Sequence, residues 1–314
     1  MFIRQDGPNL EVLAPAKLNL FLEVTGKRSD GFHELDMLMV PVALFDTLRV
    51  SLTNDSDIHL VARWAHGLQG HPELPSAEDN LVHRTLRLFQ DTVFNLKQQR
   101  PGFCVELIKR IPAAAGLGGA SSDAAAALVA ANQLTGSLLT TEQMLKIAAE
   151  VGSDVPFFLY RSSARCQGRG EVVTPVTGGQ RLALVLVKPE QGLSTPAVFD
   201  RLADFGWQDT RLIEPMLTAF QTGDQTSIAN CLHNRLLEPA LAQLPVLHEL
   251  SGQLAELNML GYQMTGSGST FFMLCHHQNQ AKKLASRLRQ MKLGTVIDTY
   301  TLDHHASCTH STLP

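Results

Sequence analysis

The stretch Pro112-Ala113-Ala114-Ala115-Gly116-Leu117-Gly118-Gly119-Ala120-Ser121-Ser122-Asp123 has the residue types of an anion cradle. Glycine lets backbone N–H groups approach a ligand closely, and a helix start adds unpaired donors and the positive end of a dipole. A helix is expected here, because the alanine-rich run Ala124–Leu134 follows and Ser121, Ser122 or Asp123 can cap it. Upstream, Phe103–Ile108 alternates and carries β-branched residues, which predicts a strand. The loop lacks the closing Gly-Lys-Ser/Thr of a P-loop. It also places Ser121 where the dinucleotide fingerprint needs its third glycine. Glycine turns before helices also occur with no ligand, so the wider sequence has to decide.

Further candidates lie far from this loop. Glu11–Val24 alternates as a strand, with Ala16, Leu18, Leu20 and Leu22 on one face and Lys17, Asn19 and Phe21 on the other. A lysine and an asparagine are unusual within an otherwise apolar strand, although an isolated strand lysine is ordinarily solvated. Asp154, in Gly152-Ser153-Asp154-Val155-Pro156-Phe157-Phe158, leads into an apolar run. Pro156 favours an extended Val155, which puts Asp154 at a helix-to-strand junction. A carboxylate there is expected to be partly buried and to need a partner, for which Lys17 is the candidate. Phe32 and His33 follow the turn pair Asp30-Gly31 and offer stacking and hydrogen bonding to a planar base, though such a pair is often ordinary packing. Met264–Thr270 is a second glycine loop, able to close over a phosphate or simply to connect two elements. Lys109 and Arg110 lie where the strand delivers the chain into the first loop.

The elements that position these groups follow from periodicity. Strands are expected at 35–42, 48–52 and 58–63, then a polar loop over 65–78 and a helix from Asp79-Asn80. Thr140-Thr141-Glu142-Gln143 fits a capping box for a helix ended by Gly152. Beyond the break at Thr177–Gly179 come a buried strand at 181–187 and helices near 197–202 and 228–237. A long helix from Pro245 to Leu260, a strand at Phe271–Cys275, a helix at Gln280–Met291 and a strand at Thr295–Leu302 complete the expected order. This predicts two domains, 1–176 and 177–303, with a tail at 304–314. His304, His305, Cys308 and His310 resemble a metal-ligand set, but a short polar tail of this kind is expected to hold no metal.

The chain of 314 residues, 44% hydrophobic and 18% charged, is globular rather than disordered. A net charge of -4 argues against general nucleic-acid or membrane binding, so neither partner is expected. Five scattered cysteines without a Cys-x-x-Cys pair, a start without an apolar signal core and no membrane-length apolar run lead to an expected cytoplasmic setting.

Taken in order, Ala14-Pro15-Ala16-Lys17-Leu18-Asn19-Leu20, Pro112–Ala126 and Met264–Ser269 resemble the motifs of the galactose/homoserine/mevalonate/phosphomevalonate (GHMP) kinase superfamily. Within it, Asp30-Gly31-Phe32-His33-Glu34-Leu35, Gly152–Phe158 and Gly168-Arg169-Gly170-Glu171 resemble the 4-diphosphocytidyl-2-C-methyl-D-erythritol kinase family, and the likeness covers most of the chain. That resemblance implies an α+β, two-domain fold, with an N-terminal domain like domain 2 of ribosomal protein S5 and a ferredoxin-like C-terminal domain. It implies a kinase using ATP and Mg²⁺, acting in the non-mevalonate isoprenoid pathway as a monomer or weak homodimer. The expected substrate is a cytidine diphosphate derivative of methylerythritol, phosphorylated at its 2-hydroxyl.

By position in those motifs, Asp154 and Lys17 are the catalytic pair, Asn19 lies near the reacting hydroxyl, His33 reads the cytosine edge and Phe32 stacks on it. Asn80, Lys109 and the run Pro112, Ala113, Ala114, Ala115, Gly116, Leu117, Gly118, Gly119, Ala120, Ser121 and Ser122 match the ATP side. No metal ligand is assigned; Ser121, Ser122 and Glu171 are candidate neighbours. The sequence departs from the family pattern at Phe32, where tyrosine is common, and at Asp123, where some relatives have asparagine. Asn234-Arg235-Leu236-Leu237-Glu238 is longer by a residue than usual. The alternatives are a sister kinase for homoserine or a mevalonate derivative, and a kinase-like binding protein without turnover. The presence of both Lys17 and Asp154 favours an enzyme, and Asp-Gly-Phe-His-Glu favours a cytidine-bearing substrate.

Overall fold

Two long strands carry the first half of the molecule. The computed structural model describes residues 1–66, 73–98, 100–206 and 210–302, so the tail lies outside the described residues. The chain begins with β1 (Phe2–Asp6), β2 (Asn9–Lys27), β3 (His33–Thr53) and β4 (Ile58–Trp64). Helix α1 (Leu81–Lys97), β5 (Gly102–Lys109), and helices α2 (Gly119–Leu134), α3 (Thr141–Val151) and α4 (Val155–Tyr160) follow, then the hairpin β6 (Ala164–Gly168) and β7 (Val172–Pro175). The sheet runs β1-β2-β3-β5-β4, with β6 beside the early part of β3 and β7 outside β6.

Strand β3 is unbroken where two strands were expected. Pro41 falls between the stretch of β3 paired with β6 and the stretch paired with β5, where it owes no ladder donor. Its carbonyl on that side accepts from Leu302 N at 2.8 Å. Strand β2 slips register against β3 between Asn19 and Phe21. The bulge turns Phe21 to the core that holds Leu18 and Leu20 and sends Leu22 to the opposite core, reversing the faces predicted for both.

Two helix starts also differ from expectation. Helix α2 begins at Gly119 behind a left-handed Gly118 (φ 68), with no side-chain cap, rather than at Ser121, Ser122 or Asp123. Residues 155–160 form helix α4 and not a strand. Pro156 sits in its first turn, where the missing N–H costs nothing, and Asp154 becomes the residue that precedes the helix. Thr140 and Gln143 do form the capping box. Helix α2 is buried continuously from Ser122 to Asn132, because its alanines let α1 and α4 pack close on either side.

The second half contains β8 (Ala183–Lys188), α5 (Thr195–Arg201), α6 (Glu214–Thr222), α7 (Gln225–Cys231), β9 (His233–Asn234), α8 (Leu237–Gln243) and α9 (Val246–Ala255). It ends with β10 (Gly261–Met264), β11 (Phe271–Cys275), α10 (Gln278–Gln290) and β12 (Thr295–Tyr300). The helix expected over 228–237 is interrupted by β9, which returns to the first sheet and pairs with Phe21 and Leu22 of β2. The helix expected to reach Leu260 stops at Ala255, because Gly261–Met264 is drawn into pairing with β11. Strand β1 and helix α6 had no clear sequence signal.

Antiparallel order β10-β11-β8-β12, with α10 crossing between β11 and β12, is the strand order of a ferredoxin-like sheet. A shared apolar core joins the halves: Leu18, Leu20, Phe21 and Val40 of the first sheet pack with Leu184, Leu186, Phe272 and Met216 of the second half. Among the described residues no helix is long and apolar enough to cross a membrane.

Candidate active site

Lys17 reaches its place through β2. Its backbone N–H donates to Leu117 O of the first glycine loop at 2.9 Å, so strand and loop are joined at this residue. The residue is 4% exposed; Nζ donates to Asn19 Oδ1 at 2.6 Å and stands 3.6 Å from Asp154 Oδ2. Asp154 comes from the start of α4 and fronts the cavity with 30% of its side chain exposed. Its carboxylate accepts no hydrogen bond from any described residue, which leaves it open to a hydroxyl donor. Asn19 Nδ2 donates to Met37 Sδ at 3.3 Å, and its backbone N–H donates to Thr265 Oγ1 at 3.1 Å.

The two glycine loops meet over this lysine. Thr265 Oγ1 donates to Gly116 O at 3.3 Å. Gly116 (φ 71) has Thr265 O only 2.1 Å from where a Cβ would sit. A Cβ on Gly118 would lie 2.9 Å from Lys17 Cγ, and one on Gly266 3.2 Å from Lys17 Nζ. These contacts require glycine on both packing and conformational grounds. Asn234 holds the second loop in place, its Nδ2 donating to Met264 O and Gly266 O, each at 2.8 Å. The free N–H groups at the start of α2 therefore face a space whose walls are fixed from both sides.

That space is a cavity of about 710 Å³. Every residue named above as catalytic, substrate-side or ATP-side lines it, with the exception of Ser122, whose Oγ is buried without a partner among the described residues. Ser121 is on the wall. Asn80 caps α1, its Oδ1 accepting from Val82 N at 3.0 Å. Lys109 is tied down more firmly. Its Nζ donates to Asp46 and, at 2.5 Å, to Asp123 Oδ2, all three being buried. Asp46 Oδ1 also accepts from Arg110 N and, at 2.9 Å, from Ile111 N, so the network anchors the approach to the glycine loop. Burial works against the Lys109 charge, but the two carboxylates prevail and raise its pKa. Burial raises the Asp123 carboxyl well above the usual carboxylate range. The sequence does not single out Asp46, since a lone aspartate within a strand carries no motif; it marks Asp123 as a possible helix cap and a departure from the family pattern, and not as a partner of Lys109.

At the other end, Phe32 is half exposed and His33 stacks on Phe199 of α5, with ring centroids 4.9 Å apart and planes inclined by 27°. Partial burial, and the nearby Lys27 charge, lower the His33 pKa, which favours the neutral imidazole able both to donate and to accept. Arg28 bridges Asp30 and Glu34 at 3.1 Å each and braces this turn. Phe199 was missed by sequence reasoning; nothing local marks a helix phenylalanine as the partner of a distant histidine. Glu171, a candidate metal neighbour, is instead engaged with the backbone N–H of Arg169 at 2.6 Å.

An acid and a buried lysine beneath two converging glycine loops, on this two-domain scaffold, suit an ATP-dependent small-molecule kinase. The GHMP kinases N terminal domain matches residues 80–162 and the GHMP kinases C terminal domain residues 216–292. The 4-diphosphocytidyl-2-C-methyl-D-erythritol kinase of Pelotomaculum thermopropionicum is 37% identical over 282 residues, 90% of this chain and 94% of its own length. That of Exiguobacterium sibiricum is 36% identical over 278 residues, 88% and 93% of the two chains. A crystal structure of a 4-(cytidine 5'-diphospho)-2C-methyl-D-erythritol kinase matches with a TM-score of 0.75 at 33% identity, covering 93% of this chain and 98% of the other. Homoserine kinase from Cytophaga hutchinsonii shares the fold, with a TM-score of 0.71 at 17% identity over 96% of this chain and 98% of its own. The chain belongs to the 4-diphosphocytidyl-2-C-methyl-D-erythritol kinase family.

Proposed function

We propose that this chain transfers the γ-phosphoryl group of ATP to the 2-hydroxyl of 4-diphosphocytidyl-2-C-methyl-D-erythritol. The observation that carries this reading is the meeting of Lys17, Asn19 and Asp154 beneath both glycine loops, with Phe32 and His33 at the far end of the same cavity. Phosphoryl transfer asks for positioning and charge neutralisation more than covalent chemistry. The loop from Pro112 to Ser121 and the start of α2 hold the triphosphate. Asp154 accepts the hydroxyl proton, Asn19 orients the hydroxyl, and Lys17 neutralises charge at the transferring group. Phe32 stacks on the cytosine and His33 reads its edge.

Mg²⁺ fits the site through oxygens, the donor class it prefers: the triphosphate itself, with Ser121 and Asp154 among the protein oxygens on the wall. Bound there, it would neutralise phosphate charge. We also propose a division at residue 176, supported by the change of sheet between β7 and β8. A cytoplasmic setting is supported by free thiols at Cys104, Cys166, Cys231 and Cys275.

The test is ATP turnover against the cytidylyl alcohol, homoserine and mevalonate side by side. The cytidylyl alcohol should be phosphorylated with a far higher kcat/KM; equal or better turnover of homoserine or mevalonate refutes the proposal.

A further inference from the structure

The reading above requires a substrate stretched from the aromatic turn to the acid. A nucleoside diphosphate joined to an alcohol carries its charge between those ends, and the cavity has to answer it. Among the described residues, the lysines and arginines lining the cavity are Lys17, Lys109 and Arg169. Lys17 is committed to Asn19 and Asp154, and Lys109 to Asp46 and Asp123.

Arg169 is placed differently. It tops the turn between β6 and β7, with Cζ 4.8 Å from the centroid of the Phe32 ring. The next residue, Gly170 (φ 118), presses the same turn against the acid: a Cβ there would lie 3.5 Å from Ser153 O and 3.6 Å from Asp154 Oδ1. One short turn thus touches both the base end and the reacting end. Glu171 fixes it from beneath, since Oε2 accepts from Arg169 N and the carboxylate fills the space beside Gly168. Arg169 Nε and Glu171 Oε1 form a loose ion pair at 3.6 Å, beyond hydrogen-bond length, so the charge is shared with Glu171 while the guanidinium donates no hydrogen bond to a described residue. Its planar fork, whose geometry matches phosphate oxygens, remains available, and the aromatic face beneath it holds it ready.

The geometry points to Arg169 as the residue that holds the diphosphate bridge and so selects a nucleotide-linked alcohol over a free one. This inference rests on the cytidylyl reading of the site.

Competitive inhibition isolates the diphosphate from the base. Against the cytidylyl alcohol, wild-type protein should be inhibited at least about tenfold more tightly by CDP than by cytidine. In Arg169→Ala that ratio should fall toward unity, and KM for the cytidylyl alcohol should rise roughly 10- to 50-fold. The ATP KM and kcat should stay within about twofold, since nothing on the triphosphate side is touched. Arg169→Lys, which keeps the charge but not the fork, should recover part of the ratio. A turn with only a structural role would shift cytidine and CDP together. An unchanged ratio in Arg169→Ala, or a wild-type ratio near unity, overturns the assignment. Wild-type protein that leaves the cytidylyl alcohol unphosphorylated would remove the functional reading, and this inference with it.

Discussion

Lys17 and Asp154 approach to 3.6 Å from opposite kinds of position, the lysine buried behind the site and the acid fronting the cavity. The lysine is held by its neighbour Asn19 and by packing under Gly118, so its charge is fixed before any ligand arrives. The acid pairs with Lys17 and has an open side toward the cavity. This asymmetry suits a positioned cation next to a proton acceptor.

Asp154→Asn keeps the shape and removes the acceptor. Its kcat should fall by about 10²–10⁴ while the ATP KM is little changed. Steady-state kinetics, with a circular dichroism spectrum matching wild type, checks this; near wild-type turnover removes Asp154 from the chemistry. Lys17→Met should lose about 10²–10³ in kcat, because charge at the transferring group then goes unanswered.

Gly116→Ala tests the cradle. The added Cβ would sit 2.1 Å from Thr265 O at a φ of 71, so the two loops must part. The ATP KM should rise by at least about tenfold, with the cytidylyl KM much less affected. Nucleotide titration at fixed cytidylyl alcohol separates the two.

Lys109 stands between two buried aspartates, so its removal leaves both carboxyl groups buried without their cationic hydrogen-bond donor. Lys109→Met should destabilise the fold by about 3–5 kcal/mol in urea titration. Asp123→Asn should cost much less, since the amide oxygen can still accept from Nζ and one of two crowded carboxylates is gone. Equal losses in the two variants would contradict this account.

How far the site can be read from the sequence depends on chain distance. The glycine loop, Lys17 with Asn19, and Phe32 with His33 are each signalled by a few consecutive residues, and the structure brings all of them to one cavity. Asp154 was legible as a residue, but its helix was not. Pro156 argues for an extended Val155 locally, and burial of Val155, Phe157 and Phe158 overrides that preference. The Phe21–Leu22 face exchange was illegible because one bulge shifts a period-2 pattern without changing composition. Phe199 and strand β9 depend on pairings with residues more than half a chain away, for which no local signal exists.

Glu23 shows the same long reach and gives the fold a pH dependence. Its carboxylate is buried and accepts from Val24 N at 2.9 Å, Arg211 N at 2.9 Å and Arg235 Nε at 2.7 Å, and pairs with His233 Nε2 at 2.9 Å. Burial alone would raise its pKa; the partners outweigh burial and bring it from the ordinary 4.5 down to about 2. A folded pKa below the unfolded one contributes stability above the unfolded value and loses it as pH falls toward the folded value. Wild-type stability should therefore decline between about pH 4.5 and pH 2 by an amount on the order of 3 kcal/mol from this group. Glu23→Gln should lose a similar amount at neutral pH and show a flatter curve across that window. Parallel curves for the two proteins would exclude Glu23 as the source. The variant should also weaken ATP binding where it remains folded: Asn234, between His233 and Arg235, donates to Met264 O and Gly266 O, so a loosened β9 releases the second glycine loop.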